Sequence, residues 1–281
     1  MEKEKLLKTI KILLQKYRQL EEVKFEPKFI EDILFSLNED GTKSINNEIF
    51  YILRENNIDM NGVSFNKVHI NRHQFNGFKN ITINIDEIPD KDLSETVLEG
   101  VRLIGSLNGA NIKQTNFKGY IGNLVLDPQT IKDKDLYFTK LHGITVNGSF
   151  DDVYINCTDF RGAKGIIEIN PQKVRDKKLA MTYLEGVSFI GNYNEQTNNY
   201  DKPCFDNCYL VGSKLKGEIE INPQKLSCKT IAMCQFENVI FTDTFDGVIT
   251  ENTLFNNCTY INIQEQKFLQ VASKILSLYK K

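Results

Sequence analysis

Large apolar residues recur every five positions through the middle of the chain. The runs with this spacing are Met60-Phe65-Ile70-Phe75, Leu98-Leu103, Ile112-Phe117, Leu141-Val146, Ile155-Phe160, Leu184-Phe189, Phe205-Leu210-Leu215, Phe236-Phe241 and Phe255-Tyr260. A period of five fits neither an α-helix nor a single long strand. It predicts a chain that turns about a right angle every five residues. Four turns would close one coil, and coils would stack at the ~4.8 Å spacing of β-strands.

The residue two positions before each large apolar residue is small or β-branched, and the residue between them is often polar. The small positions are Val63, Val68, Ala110, Thr115, Thr158, Val187, Cys208, Ser213 and Cys258. This alternation predicts two inward side chains per side of a coil with one outward side chain between them, such as Asn111 or Asn116. Equivalent inward positions should form a ladder, with members Phe117, Phe160, Leu215 and Phe255.

Three triplets carry a family resemblance: Ala-Asn-Ile at 110–112, Thr-Asn-Phe at 115–117 and Thr-Asp-Phe at 158–160. They resemble the small–Asn/Asp–Leu/Phe core of pentapeptide-repeat proteins. The resemblance spans about residues 57–262 and implies a mainly β fold, a right-handed quadrilateral β-helix with a solvent-free interior. A three-sided β-helix is the alternative that the pattern leaves open.

A longer repeat overlies the quintets, with Leu93, Leu136 and Leu179 spaced 43 residues apart. A period of this size is typical of stacked repeat units. Each copy has a proline expected to fix a turn: Pro89, Pro128, Pro171 and Pro223. The last copy is displaced because residues 192–203 are inserted.

Helical patterns flank the repeats and divide the chain into residues 1–56, 57–262 and 263–281. Three helices are predicted in 1–56: one over 2–22, one that Pro27 opens and that closes near Asn38, and one with Ser44 as its N-cap. The last segment is predicted to be an amphipathic helix. We expect it to cap the open edge of the last coil, or to join two chains as a homodimer through that end.

Composition and charge limit the ligands and partners that we expect for this chain. The net charge is −2, and lysines interleave with acidic residues. Cys157, Cys204, Cys208, Cys228, Cys234 and Cys258 match neither a disulfide framework nor a zinc knuckle, so we expect free thiols and no metal. His69 and His73 are expected at the exposed surface. We expect no cofactor, no membrane span and no direct nucleic-acid binding. Residues 1–17 mix acidic and basic residues unlike a secretory signal, and we expect a cytoplasmic protein.

The repeat pattern favours a non-enzymatic scaffold or protein-interaction module, since no nucleophile, phosphate-cradling or dinucleotide motif is present. One alternative is a DNA mimic that binds DNA gyrase or topoisomerase IV, as the resemblance to the quinolone-resistance branch of the family implies. A second is a carbohydrate-active β-helix enzyme that uses surface carboxylates. The candidate partner-binding residues are Tyr193, Asn194, Tyr200, Phe268, Ile275 and Tyr279.

Overall fold

Short strands that pair mostly in parallel make up most of the regular structure. The computed structural model describes residues 8–10, 12 and 25–261. Two compact units divide the chain: Met1–Ser149 with Arg161–Gly165, and Phe150–Phe160 with Ile166–Lys281. The predicted C-terminal helix, and all of the predicted first helix except residues 8–10 and 12, which are helical, lie outside the described residues.

The described part of the first unit has two helices, α1 (Pro27–Leu34) and α2 (Asn47–Glu55). Its strands are β1 (Phe35–Leu37), β2 (Lys43–Ile45), β3 (Val68–His69), β4 (Thr82–Asn84), β5 (Arg102–Ile104), β6 (Val125–Leu126) and β7 (Thr145–Val146). The strands of the second unit are β8 (Ile167–Ile169), β9 (Val187–Phe189), β10 (Tyr193–Asn194), β11 (Asn199–Tyr200), β12 (Lys214–Lys216), β13 (Glu220–Ile221), β14 (Gln235–Glu237), β15 (Ile240–Phe241), β16 (Leu254–Asn256) and β17 (Thr259–Tyr260).

Parallel pairing explains the 43-residue repeat. In the first unit Val97 pairs with Asn116, and Asn116 pairs in turn with Lys140. The two pairings together cover one 43-residue period. One copy of the long repeat is therefore two turns of the chain, one shorter and one longer.

Backbone turns follow the five-residue period. Glu95, Gly100 and Gly105 have φ values of 58°, 79° and 96°. Glycine adopts such values without steric cost, and its recurrence at these turns follows from that freedom. All four predicted proline turns are also present. Pro89 and Pro223 each begin a short 3-10 turn, and Pro128 and Pro171 each lie in a hydrogen-bonded turn.

The predicted inward positions form the core. Of the small inward residues, Val63, Val68, Ala110, Thr115, Thr158, Val187, Cys208 and Ser213 are buried and Cys258 is half-buried. The ladder prediction is confirmed in part: Leu215 and Phe255 belong to one ladder in the second unit, but Phe236, which the prediction left out, is the register partner of both. The Phe236 and Phe255 rings stack with centroids 5.8 Å apart.

Buried hydroxyl groups add a feature that the residue pattern did not predict. Thr115 Oγ1 donates to the Leu93 carbonyl at 2.7 Å, and Thr139 Oγ1 donates to the Ile112 carbonyl at 2.8 Å. In the second unit Thr253 Oγ1 makes the corresponding bond to a carbonyl of the preceding coil. Threonine suits these positions because its buried hydroxyl finds an acceptor in a backbone carbonyl of the preceding coil.

The N-terminal segment corrects two predictions. Helix α1 begins at Pro27 as predicted but ends at Leu34, and residues 35–37 form β1, antiparallel to β2. Ser44 lies in β2 and is not the N-cap of α2. That cap is Asn46, whose side chain accepts from the Ile49 amide at 3.4 Å. The physical reason is tertiary: β2 pairs in parallel with β3 of the first coil, which favours extended backbone over helix here.

Candidate functional site

The insertion at 192–203 folds as a β-hairpin in the second unit. Strands β10 and β11 pair antiparallel, with Tyr193 directly opposite Tyr200. The two rings meet edge to face, with centroids 5.4 Å apart and planes at 69°. Such a cross-strand aromatic pair stabilises a hairpin by about 0.5–1.5 kcal/mol beyond burial. Half of each tyrosine nevertheless remains exposed, 50% for Tyr193 and 49% for Tyr200.

The tip of the hairpin is ordered by its own side chains. Asn194 Oδ1 accepts from the amides of Gln196 at 3.0 Å and Thr197 at 3.3 Å, which forms an Asx turn. The Tyr193 hydroxyl bonds to Asn198 Oδ1. The side-chain oxygen of Asn194 therefore shapes the turn, whereas the two tyrosine rings provide the exposed contact area.

Gly191 lets the hairpin leave the coil. Its amide donates to the Asp201 carbonyl at 3.1 Å, and the Asp201 amide donates to the Asn192 carbonyl at 2.9 Å. A Cβ atom at Gly191 would lie 2.5 Å from the Lys202 carbonyl oxygen and closer still to that of Asp201. Glycine is required here by this close approach of two backbone segments.

Asn170 holds the first end of the hairpin. This buried side chain donates from Nδ2 to the Gly191 carbonyl at 2.9 Å and to Asn192 Oδ1 at 3.1 Å. Its Oδ1 accepts from the Gln172 amide at 3.0 Å. Each polar atom of the amide thus has a partner, which fixes its orientation.

Gln172 holds the second end. Its Nε2 donates to the carbonyls of Cys204 at 3.0 Å and Asp206 at 2.8 Å, and its Oε1 accepts from Lys177 Nζ at 2.6 Å. We call Asn170 and Gln172 together the bracket, since one side chain binds each end of the insertion. From the sequence, the Asn-Pro-Gln segment at 170–172 was predicted only to form a turn, and this role of its side chains was not predicted.

Other copies of the long repeat have the same glutamine contact around a much shorter connection. Gln129 Nε2 donates to the Ser149 carbonyl at 2.8 Å, and Gln224 Nε2 donates to the Thr244 carbonyl at 2.9 Å. Residues 192–203 are therefore inserted just before a point at which the repeat already holds the chain through a glutamine side chain. The recurrence of Asp/Asn-Pro-Gln was the sequence signal from which this contact could have been found.

Of the six candidate partner-binding residues, the structure brings Tyr193, Asn194 and Tyr200 together on the hairpin. Phe268, Ile275 and Tyr279 lie outside the described residues. The candidate site is consequently the hairpin and its bracket.

Charged side chains form ion pairs between neighbouring coils. In the second unit, Lys173 Nζ lies 3.3 Å from Asp151 Oδ2, and Arg175 Nε lies 3.2 Å from Asp152 Oδ1. Exposed pairs of this kind contribute little stability. These pairs place opposite charges on neighbouring coils, so this part of the surface does not form a long stripe of one sign.

Two of the cysteines, Cys208 and Cys234, are buried in the core. Burial raises the pKa of the Cys208 thiol to about 12 and that of Cys234 to about 11, so both stay protonated and unreactive near neutral pH. No cluster of three or more potential metal ligands occurs among the residues that the structure describes.

The expectation of exposed histidines was wrong for His73. Its Nε2 lies 2.9 Å from Asn47 Oδ1 of α2, its ring packs against Phe50, and burial lowers its pKa. His69 is also partly buried, with Nε2 3.1 Å from Thr42 Oγ1. Both histidines join the N-terminal segment to the first coil, a contact that no local sequence pattern indicates.

No family model and no curated protein matches this chain. Eight chains of solved structures match it, among them HetL, a pentapeptide repeat protein involved in heterocyst differentiation regulation from the cyanobacterium Nostoc sp. strain PCC 7120. That likeness covers 72% of this chain and 82% of HetL at 12% identity, with a TM-score of 0.20, which is too low to establish a shared fold. Within residues 8–10, 12 and 25–261, no helix is long and apolar enough to cross a membrane.

Proposed function

We propose that this chain is a non-enzymatic protein-interaction module, in which a rigid repeat scaffold presents the hairpin 192–203 to a protein partner. The observation that carries the proposal is the bracket, because Asn170 and Gln172 hold the two ends of an insertion whose tyrosine pair is half exposed. Binding loops that extend from a rigid scaffold are a common way to build a recognition site.

The composition of the hairpin suits protein recognition. Between Tyr193 and Tyr200 it has three asparagines, a glutamine, a threonine and a single charged residue, Glu195. Tyrosine offers a large amphipathic contact area at low cost in side-chain entropy, and amide side chains adapt their hydrogen bonds to a partner. A protein surface with exposed polar backbone and a shallow apolar pocket matches this chemistry.

We further propose that the scaffold is a right-handed quadrilateral β-helix. Asp92, Val97 and Arg102 lie five positions apart, and each pairs with the residue 19 positions later. Four steps of about five residues fit that interval, whereas three do not, which favours four sides over three. The right-handed sense is the one that parallel crossover connections almost always take.

The charges of the described residues favour neither a DNA mimic nor a carbohydrate-active enzyme. A gyrase- or topoisomerase-binding DNA mimic needs a long acidic stripe, whereas acidic and basic side chains pair between coils. A carbohydrate-active enzyme needs two carboxylates that face a sugar ring. The adjacent pair Asp151 and Asp152 is instead engaged by Lys173 and Arg175.

The chain offers a matched control for testing the hairpin. Deletion of 192–203 joins Gly191 to Cys204, which reproduces the Gly148–Ser149 connection of the preceding copy. It keeps the Gly191, Cys204 and Asp206 carbonyls that the bracket binds and removes only the Asn192 side chain from its partners. A second variant, Tyr193→Ala with Tyr200→Ala, keeps the loop but removes the rings.

The experiment is affinity capture from a bacterial lysate, followed by direct binding of the captured protein to the purified wild type and both variants. We expect the wild type to bind and both variants to lose most of the affinity while keeping the same thermal unfolding midpoint. Equal binding by all three would contradict the proposal. Supercoiling assays with gyrase and topoisomerase IV on the same samples would favour the DNA mimic if all three proteins inhibited equally.

A further inference from the structure

One corner of the second unit has exposed apolar side chains in three of four successive coils. Met181, Gly212, Met233 and Asn252 occupy the same turn, with φ between 53° and 72°. The amide of each of the first three donates, at 2.8–2.9 Å, to the carbonyl of the residue just before the next member. We call these four residues, with Ile249 and Leu254 on either side of Asn252, the corner ridge.

The large side chains of the corner ridge are unusually exposed. Met181 and Met233 are 52% and 56% exposed, and Ile249 and Leu254 are 51% and 45% exposed. Met181 leans over Gly212, where an added Cβ would lie 3.1 Å from Met181 Cγ. A run of exposed apolar side chains of this kind commonly marks an interaction surface.

The backbone conformation of the turn does not account for the two methionines. Glycine and asparagine adopt a positive φ at low cost, and the same corner has Gly212 and Asn252 in alternate coils, so the turn does not require methionine. Turns with the same amide-to-carbonyl bond in the first unit hold Glu95 and Gln114, with φ of 58° and 59°. Met181 and Met233 therefore differ from these residues in having exposed apolar side chains and not in their backbone conformation.

The segment that follows the last described coil fits this surface. Six of its apolar residues would lie on one face of a helix: Phe268, Val271, Ala272, Ile275, Leu278 and Tyr279. From residue 268 to 279 a helix rises about 17 Å, and the three coil steps from Asn252 to Met181 span about 14 Å. Residues 262–267 can extend about 20 Å, which is enough to reach the ridge from Ile261.

We propose that residues 263–281 form an amphipathic helix that lies along the corner ridge of their own chain and runs from Leu254 towards Met181. A tethered segment has an effective concentration in the millimolar range, which favours the same chain over a second copy in dilute solution. This proposal does not depend on the hairpin. It places the segment along the corner ridge, whereas the sequence pattern predicted a cap over the open end of the last coil, around Phe255 and Tyr260.

Methionine methyl NMR tests this directly, because the chain has four methionines: Met1, Met60, Met181 and Met233. Met60 is fully buried in the first unit and serves as an internal reference. The full chain labelled at the methionine methyl groups would be compared with Ile275→Glu, which places a charge in the apolar stripe. Ser277→Glu is the matched control on the opposite face of the predicted helix. Assignments would come from Met181→Leu and Met233→Leu.

In the wild type we expect nuclear Overhauser contacts from the Met233 methyl to ring protons of Phe268 and from the Met181 methyl to ring protons of Tyr279. Ile275→Glu should abolish these contacts and shift the Met181 and Met233 signals, whereas Met60 stays in place and Ser277→Glu changes neither signal. Unchanged Met181 and Met233 signals in Ile275→Glu would overturn the proposal, and so would changes confined to aromatic signals of the coil end. Contacts that appear only as protein concentration rises, with slower translational diffusion, would assign the surface to a second copy and also overturn it.

Discussion

Replacement of Thr115 by valine tests the buried hydroxyl groups against the residue pattern. Thr115 is fully buried, and its Oγ1 donates to the Leu93 carbonyl at 2.7 Å. Valine has nearly the same shape and is native at other small inward positions, such as Val68 and Val187. The repeat pattern alone therefore predicts almost no cost for this substitution.

The structure predicts a measurable cost. Valine removes the donor and leaves a carbonyl oxygen in a solvent-free interior, and an unsatisfied buried acceptor costs about 1–3 kcal/mol. Because the two side chains have similar volume, no cavity term adds to this figure. We expect the free energy of unfolding to fall by about 1–3 kcal/mol.

Urea unfolding followed by far-UV circular dichroism would measure the difference. The control is Thr145→Val in β7, where the threonine points outward and is only partly buried, so the change should stay within about 0.5 kcal/mol. The reasoning would be refuted if Thr115→Val shifted the midpoint no more than Thr145→Val at an unchanged slope.

Three further predictions follow from contacts in the two units. Phe160→Ala should lower the free energy of unfolding by about 3–5 kcal/mol, because the ring is fully buried against Phe150; a near-neutral result in denaturant unfolding would mean that the inward register is misassigned. Gly191→Ala should displace the hairpin, since the new Cβ meets backbone oxygens, and proteolysis within 192–203 should accelerate; an unchanged cleavage rate would argue against the close approach. Burial lowers the pKa of His73 below its usual 6.5, so the stability it contributes is present above pH 6.5 and is lost as pH falls through the lowered value. Stability measured from pH 8 to 5 should fall more steeply in the wild type than in His73→Gln, and parallel curves would contradict this.

The sequence by itself determined which side chains form the core. Inward and outward positions repeat every five residues, so burial at positions such as Ala110 and Ser213 could be predicted within a single quintet. The positions of turns could also be predicted from local sequence, because glycine widens and proline restricts the backbone angles of its own residue. The hairpin could be predicted only as an insertion, and its tyrosines only as candidates for contact.

Only the tertiary structure decided features that join segments about twenty residues or more apart. Residues 35–37 form a strand because the hairpin of β1 and β2 pairs with β3 of the first coil, a contact that overrides local helical preference. The bracket depends on Asn170 and Gln172 reaching the next coil, and its partners are mostly backbone carbonyls, which carry no side-chain signature in a sequence. A periodic pattern fixes which way each side chain points, whereas its partner is fixed only when successive coils stack.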